Sequence, residues 1–436
     1  MAEMMDAMEL VRTLRQNQKG QGRRDSAARR APADFHDLDG YDQMRLMKAA
    51  SEEFDLPSPF FRQIDALSGA NVQIAGQWCV NFASYDYLGL NGAAPVRAAA
   101  QDAIAQWGIS ANASRLVGGD KQFHADLEGR IADLYRAEAA LAMVSGHATN
   151  VSTVRCLMGK GDLVLMDALI HNSVAEGVQS SGAAHLTFPH NDWAWIDQRL
   201  RDCRDQYRHV LIVTEGLFSM DGDSPDLARF VEVKKRHGAW LMIDEAHALG
   251  VLGPTGRGIS EAQGVDPGAV DIWMGTLSKT LASCGGYIAG SSVLIDYLRF
   301  KSPGFVYSVG LSAPNAAAAT IAIDQMIAHP ENCARLRENG ALFHDLARQA
   351  RLDIGLAEGH AISPVVIGDS MKTVIASSRL LARGFNVLPI LFPAVPEKQA
   401  RLRYFLTAHH DADQIRDAVA ATAEILDDLK TWQFRR

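Results

Sequence analysis

Polar residues gather at one kind of place in this chain: directly after apolar runs. AALAMV is followed by Ser145-Gly146-His147, DLVLMD leads to His171, and HVLIVTEG runs into Phe218-Ser219. AWLMID supplies Asp244, Glu245 and His247, and VDIWMG supplies Thr276, Ser278 and Lys279. Each has an ordinary explanation by itself. An aspartate after a strand often caps the next helix, a lone histidine is commonly a satisfied core residue, and Ser-Gly is a frequent turn. A lysine among small residues just past a buried run is less ordinary, because lysine is rarely buried unless paired or functional. Recurrence after five runs argues for a site. The set suits one chemistry: an amine for an aldehyde, a carboxylate to keep a pyridine nitrogen protonated, a flat imidazole for a flat ring, and hydroxyls and free backbone N–H groups for a phosphate. Those are the needs of pyridoxal 5′-phosphate.

The elements that must position these residues are legible from texture. Apolar strand-like runs alternate with helical stretches such as FHADLEGRIADLYRA and DLARFVEVKKRHG, which predicts an α/β fold with a mostly parallel sheet. Ligands of open α/β sheets bind at the carboxyl ends of the strands, where the polar residues fall. Past residue 316 the pattern changes to an alanine-rich helix, strand-like ISPVVIG and ARLRYFLTA, and a final helix, DADQIRDAVAATAEILDDLK, the makings of a smaller α+β lobe. Residues 1–35 stand apart as a flexible basic arm. MAEMMDAMELVRTLRQ could form a short amphipathic helix, and KGQGRRDSAARRAPAD reads as a basic linker. It is either a solvated tail or a docking arm for an acidic partner or a membrane surface.

Composition excludes several classes. A formal net charge of −8 argues against nucleic acid as the main partner. Five scattered cysteines form no CxxC pair and no metal-ligand spacing with histidine, so no metal site is expected and thiols in a reducing cytoplasm are. There is no apolar run long enough to span a bilayer and no signal-peptide pattern. D-E-A-H also occurs in helicases, but that reading needs a GxxxxGK[ST] loop and the chain has none.

Four motifs carry a family resemblance. NFASYDYLGL, TEGLFSMDGDSPDL, IDEAHALGVLGPTGRG and GTLSKT together resemble the α-oxoamine synthases, pyridoxal-phosphate enzymes of fold type I, and the likeness runs from about residue 81 to RLRYFLTAHH at 401. The resemblance implies a segment 36–92 joining a small lobe, a large cofactor-binding domain over 93–315 with a mostly parallel central sheet, and a small C-terminal domain over 316–436. It implies that Lys279 holds the cofactor as a Schiff base and moves the substrate's α-proton. Asp244 would pair with the pyridinium nitrogen, His247 and Ser219 would lie near the phenolic oxygen, and His171 would stack on the ring. Thr276, with backbone at Gly146 and His147, would hold the phosphate. Ser308 of YSVGLSAP would reach the phosphate of a neighbouring subunit's site in a homodimer, and Arg403 would take the amino acid's carboxylate.

The family's reaction joins a small L-amino acid to an acyl thioester with loss of carbon dioxide, leaving an α-amino ketone. Serine with a long-chain thioester, as in serine palmitoyltransferase, is the first expectation. Glycine or alanine, as in aminoketobutyrate ligase or aminooxononanoate synthase, stays open. So does a catalytically inactive partner subunit, against which Lys279 speaks. The chain departs from the family at His147, where an aromatic residue is usual, and at Tyr85-Asp86, where Asn-Asp is common. It departs again at Leu391-Phe392-Pro393, where some relatives have Arg-Pro-Pro, and at SANASR, where a glycine-rich version is usual. These, with SGHATN and FPHND, resemble synthases that work with acyl carrier proteins, whose acidity would suit the basic arm.

Overall fold

The computed structural model describes residues 34–38, 40, 41, 45 and 58–431. The arm expected over residues 1–35 lies, up to residue 33, outside them. Residues 1–57 form one unit and 58–436 another. In the first, a 3-10 turn, Phe35–Asp37, is capped by the Asp34 carboxylate, which accepts from the His36 backbone N–H.

The second unit is built on a seven-stranded sheet of β3 (Ala139–Met143), β4 (Leu163–Asp167), β5 (Ala184–Phe188), β6 (Val210–Glu215), β7 (Trp240–Asp244), β8 (Ile272–Thr276) and β9 (Gly286–Gly290), in the order β3-β9-β8-β7-β6-β4-β5. Five neighbouring strands, β5, β4, β6, β7 and β8, run parallel; β9 lies antiparallel between β8 and β3. All six residues of β6 and all five of β8 are buried. That is why these strands read as continuous apolar runs, as a parallel sheet covered on both faces requires. Their core joins Leu141, Val164, Val213, Met242, Met274 and Ile288.

Two smaller sheets complete the unit. The hairpin of β1 (Asn71–Ile74) and β2 (Gln77–Asn81) is extended by β11 (Phe385–Asn386), which pairs parallel with β2. The other joins β10 (Ile362–Gly368), β13 (Ala400–Phe405) and β12 (Leu388–Ile390), with β13 central and antiparallel to both neighbours. Helices Pro330–Gln349, Ser370–Ala382 and Ala412–Lys430 belong to this smaller C-terminal domain. Strand β13 carries Arg401 and Arg403 in a fully buried stretch, so their side chains need partners. Among the described helices none is long and apolar enough to cross a membrane.

Candidate active site

The carboxyl ends of β3, β4, β6, β7 and β8 bring most of the expected residues together. Asp244, the last residue of β7, is buried, and its carboxylate accepts from Asn150 Nδ2 at 2.8 Å and from the Ala246 backbone N–H at 2.9 Å. Asn150 stands on the helix Gly146–Leu157, whose first turn Ser145 caps, and its Nδ2 also donates to the Ser173 hydroxyl at 3.0 Å. Ser173 in turn shares a 2.7 Å hydrogen bond with Nδ1 of His171, the cap of helix Asn172–Ser181. A chain of three hydrogen bonds thus joins Asp244 to His171.

Lys279 is half-buried in the turn after β8. Burial drives its ammonium down to about 8, against the pull of Asp244 and Glu215 and with Arg403 pushing the same way. Its Nζ lies 5.6 Å from the centroid of the Tyr85 ring. Thr276 closes the strand; its hydroxyl donates to Gly285 O at 2.9 Å and accepts from the Ser278 N–H at 3.2 Å. A Cβ at Gly146 would sit 2.8 Å from Thr276 Oγ1, so only glycine lets this helix start so close to β8. The N-terminus of this 12-residue helix beside a threonine hydroxyl is a cradle for a phosphate.

His247 is buried and shares a 2.7 Å hydrogen bond with the Tyr87 hydroxyl. Burial first, then the charges of Lys279, Arg403 and His171, hold its imidazole well below the ordinary histidine range. His171, exposed in part, is also pushed down by desolvation, with Asp244 opposing. Arg403 is nine-tenths buried. Its Nη1 donates to Ser219 O at 3.0 Å, its Nη2 lies 3.4 Å from the Tyr85 hydroxyl, and its guanidinium covers the Phe405 ring. Its Nε has no partner among the described residues. A buried guanidinium with a free donor is suited to an incoming carboxylate.

His147 and Ser308 sit differently. His147 is exposed, 3.6 Å from the Glu176 carboxylate and edge-on to His171 with ring centroids 6.3 Å apart. Ser308 is half-buried between exposed Tyr307 and Val309. Three residues escaped the sequence reading. Asn150 lies one turn beyond Gly146 on the same helix, and its side chain reaches Asp244. Glu215 ends β6 in register with Asp244 and accepts the His171 backbone N–H at 2.8 Å; burial, then the neighbouring Asp244 charge, raises its carboxyl well above the usual range. Tyr87 could be found only from its contact with His247. Tyr85, where the family commonly has asparagine, places its ring between Lys279 and Arg403.

A cavity of about 710 Å³ at the opposite, amino-terminal ends of the strands is lined by His209, Trp240 and Tyr297, but its Arg208 and Arg136 are already paired with Asp162 and Asp266. Among the described residues no cluster of His, Cys, Asp or Glu is set to hold a metal ion.

The donor set fits pyridoxal phosphate: a lysine of lowered basicity, a buried carboxylate, a histidine and a phosphate cradle at adjoining strand ends. The amine must be neutral to attack an aldehyde. Attachment of the cofactor to the stripped protein should therefore quicken as pH rises and level off above about 8, rather than near the 10.5 of an ordinary lysine. Absorbance followed across pH 6.5–10 checks this, and a rate still climbing tenfold per unit above about pH 9 would contradict the lowered amine.

The family of class I and II aminotransferases matches residues 78–421. An 8-amino-7-oxononanoate synthase of Anaeromyxobacter sp. (strain K) is 40% identical over 86% of this chain and 93% of its own length. Another, from Bacillus subtilis, is 37% identical over 84% and 93%. Among solved structures, the serine palmitoyltransferase of Sphingomonas wittichii superimposes with a TM-score of 0.86 at 28% identity, covering 92% of this chain and all of that one. The chain therefore belongs to the class I and II aminotransferase family, and within it to the pyridoxal-phosphate-dependent α-oxoamine synthases of fold type I.

Proposed function

We propose that the chain condenses L-alanine with an acyl thioester, releasing carbon dioxide and the free thiol and leaving an α-amino ketone. The observation that supports it best is that an amine of lowered basicity, Lys279, and a buried guanidinium that keeps a free donor, Arg403, both reach Tyr85. Pyridoxal phosphate, when bound, supplies an aldehyde for the amine and a sink for the electron pair left at the α-carbon. Lys279 would hold it between turnovers and, once displaced by the substrate amine, take the α-proton and later return one. Asp244, oriented by Asn150 and the Ala246 N–H, would keep the ring nitrogen protonated. His171 would cover one ring face. Thr276 and the helix start at Gly146-His147 would hold the phosphate, and His247 and Ser219 would border the phenolic oxygen. Arg403 would bind the carboxylate until the bond to the α-carbon breaks.

Serine is the first expectation from the sequence. Alanine is preferred because substrate choice resides in side chains, and the 40%-identical relative is a synthase whose named product has a ketone beside a carbon bearing an amino group and a methyl, as alanine leaves. Serine rests on the likeness to serine palmitoyltransferase at 28% identity. The thiol is that of coenzyme A or an acyl carrier protein. A homodimer is supported by the exposed apolar residues Leu116, Val117, Tyr307 and Val309, and it would give Ser308 a phosphate in the partner's site. Carboxyl-labelled alanine, glycine and serine, each supplied with an acyl thioester, distinguish the readings. Alanine should release label with the highest kcat/KM, and a tenfold or larger preference for serine or glycine would overturn the choice.

A further inference from the structure

His190 lies outside the constellation above, yet its ring is held on both sides. Its side chain is 16% exposed and both ring nitrogens meet carboxylates: Nδ1 lies 2.8 Å from Asp167 Oδ1, and Nε2 lies 2.7 Å from Asp223 Oδ2. Asp167 ends β4 and is fully buried. Asp223 closes a tight turn in which Phe218 N–H donates to Asp223 O and Gly222 N–H donates to Phe218 O, both at 2.9 Å. Gly222 has φ +74°, and a Cβ there would meet Ile362 O at 2.2 Å, so the turn is pressed against β10. Asn191 adds a second strap. Its backbone N–H donates to Asp167 Oδ2 at 2.8 Å and its Nδ2 to Asp223 Oδ2 at 2.9 Å. Phe218 meets the His190 ring edge-on at 4.4 Å.

The other side of the same turn holds the arginines of β13. Ser219 O accepts from Arg403 Nη1, Met220 O accepts from Arg401 Nη1 at 3.0 Å, and Asp221 Oδ1 accepts from Arg401 Nη1 at 2.7 Å. Ser219 O, which accepts from Arg403 Nη1, and Met220 Sδ, 3.1 Å from the same nitrogen, are therefore placed by a turn whose far end is fastened to the large sheet through His190.

We propose that His190 is a positioning residue for substrate: bridging Asp167 and Asp223, it fixes the 218–223 turn so that Ser219 and Met220 present Arg403 to the amino acid's carboxylate. The proposal rests on Arg403 as the carboxylate anchor. Burial disfavours the imidazolium, but hydrogen bonds and charge from Asp167 and Asp223 outweigh it and hold the ring up at about 10. As an imidazolium it donates to both carboxylates; a neutral ring would turn a lone pair toward one of them. Asp167 from β4 and Asp223 from the turn are the charged groups that touch it, and Asn191 and Phe218 are neutral.

The test uses the cofactor-loaded protein with His190→Gln, Arg403→Ala and the parent, titrated with L-alanine and with ethylamine, which has the amine and no carboxylate. Binding is read from the absorbance of the cofactor. His190→Gln should weaken alanine about tenfold to a hundredfold, leave ethylamine within about twofold, and retain borohydride-fixable cofactor on Lys279. Its KM for alanine should rise more than its kcat falls. Equal losses for alanine and ethylamine, or an unchanged alanine affinity, would overturn the positioning role. If Arg403→Ala also leaves alanine unchanged, the anchor reading falls; if Arg403→Ala weakens alanine and His190→Gln does not, only the role of His190 falls. Should His190→Gln fail to fold, Asp223→Asn, which loosens the same clamp while keeping the side chain's shape, is read by the same outcomes.

Discussion

A Lys279→Ala protein is expected to fold, to take up pyridoxal phosphate only reversibly, and to turn over at least about 10²–10⁴-fold more slowly, the contribution of a positioned proton-transfer group. Folding should survive because, among the described residues, the ammonium's one close contact is with the Tyr85 ring, 5.6 Å to the centroid. The amine is held near 8, which means that its charge is carried at a cost in this site, and alanine removes the cost. Catalysis should not survive, because among the described residues no other lysine stands at the carboxyl ends of the strands to take its place. Borohydride treatment followed by peptide mapping reads the difference directly: the parent should carry reduced cofactor on the peptide containing Lys279, and the variant should carry none. A variant that still fixes cofactor at comparable yield would move the anchor elsewhere.

Asp244→Asn is expected to have the second-largest effect, about a 10²–10³-fold loss in the rate of α-proton removal, the scale seen when one electrostatic partner is taken from a preorganised site. The geometry makes asparagine a poor mimic. Both Asp244 oxygens already accept N–H groups, from Asn150 and Ala246. An amide at 244 must turn its NH2 toward one of those donors, and it brings no charge to hold a proton on a pyridine nitrogen. Exchange of alanine's α-proton in deuterium oxide, with no thioester present, isolates the effect from later steps. Exchange within about threefold of the parent would remove Asp244 from the proposed role.

The site was readable because fully buried parallel strands leave a plain trace. β4, β6, β7 and β8 are apolar runs that stop where the polar residues begin, and helices capped by Ser145 and His171 start there. β9 left no such trace. GYIAG is poor in branched residues because the space forbids them: a Cβ at Gly286 would meet the Cα of Gly146 at 2.6 Å, and one at Gly290 would meet Asp271 O at 2.7 Å. The strand is small so that the phosphate-side helix can approach. β5, at the sheet edge with three exposed positions, lacks the continuous apolar run of its neighbours.

Contacts between distant segments were equally hidden. The bond from Tyr87 to His247 spans 160 residues, and the pairing of β11 with β2 joins the ends of the unit. FPHND stands out in the sequence only as a variant motif, and the bridge of its His190 from Asp167 to Asp223 is visible only with the 218–223 turn beside it. Tyr85 shows what the family pattern alone does not convey. Its ring lies within reach of Lys279 and its hydroxyl within reach of Arg403, where the family commonly has the smaller asparagine.

The most direct measurement of the central claim supplies carboxyl-labelled L-alanine to the loaded protein with and without an acyl thioester, and follows labelled carbon dioxide, free thiol and α-amino ketone together. One carbon dioxide and one thiol are expected for each ketone, with release of label only when the thioester is present. Label released without thioester, or thiol released without carbon dioxide, would contradict the claim.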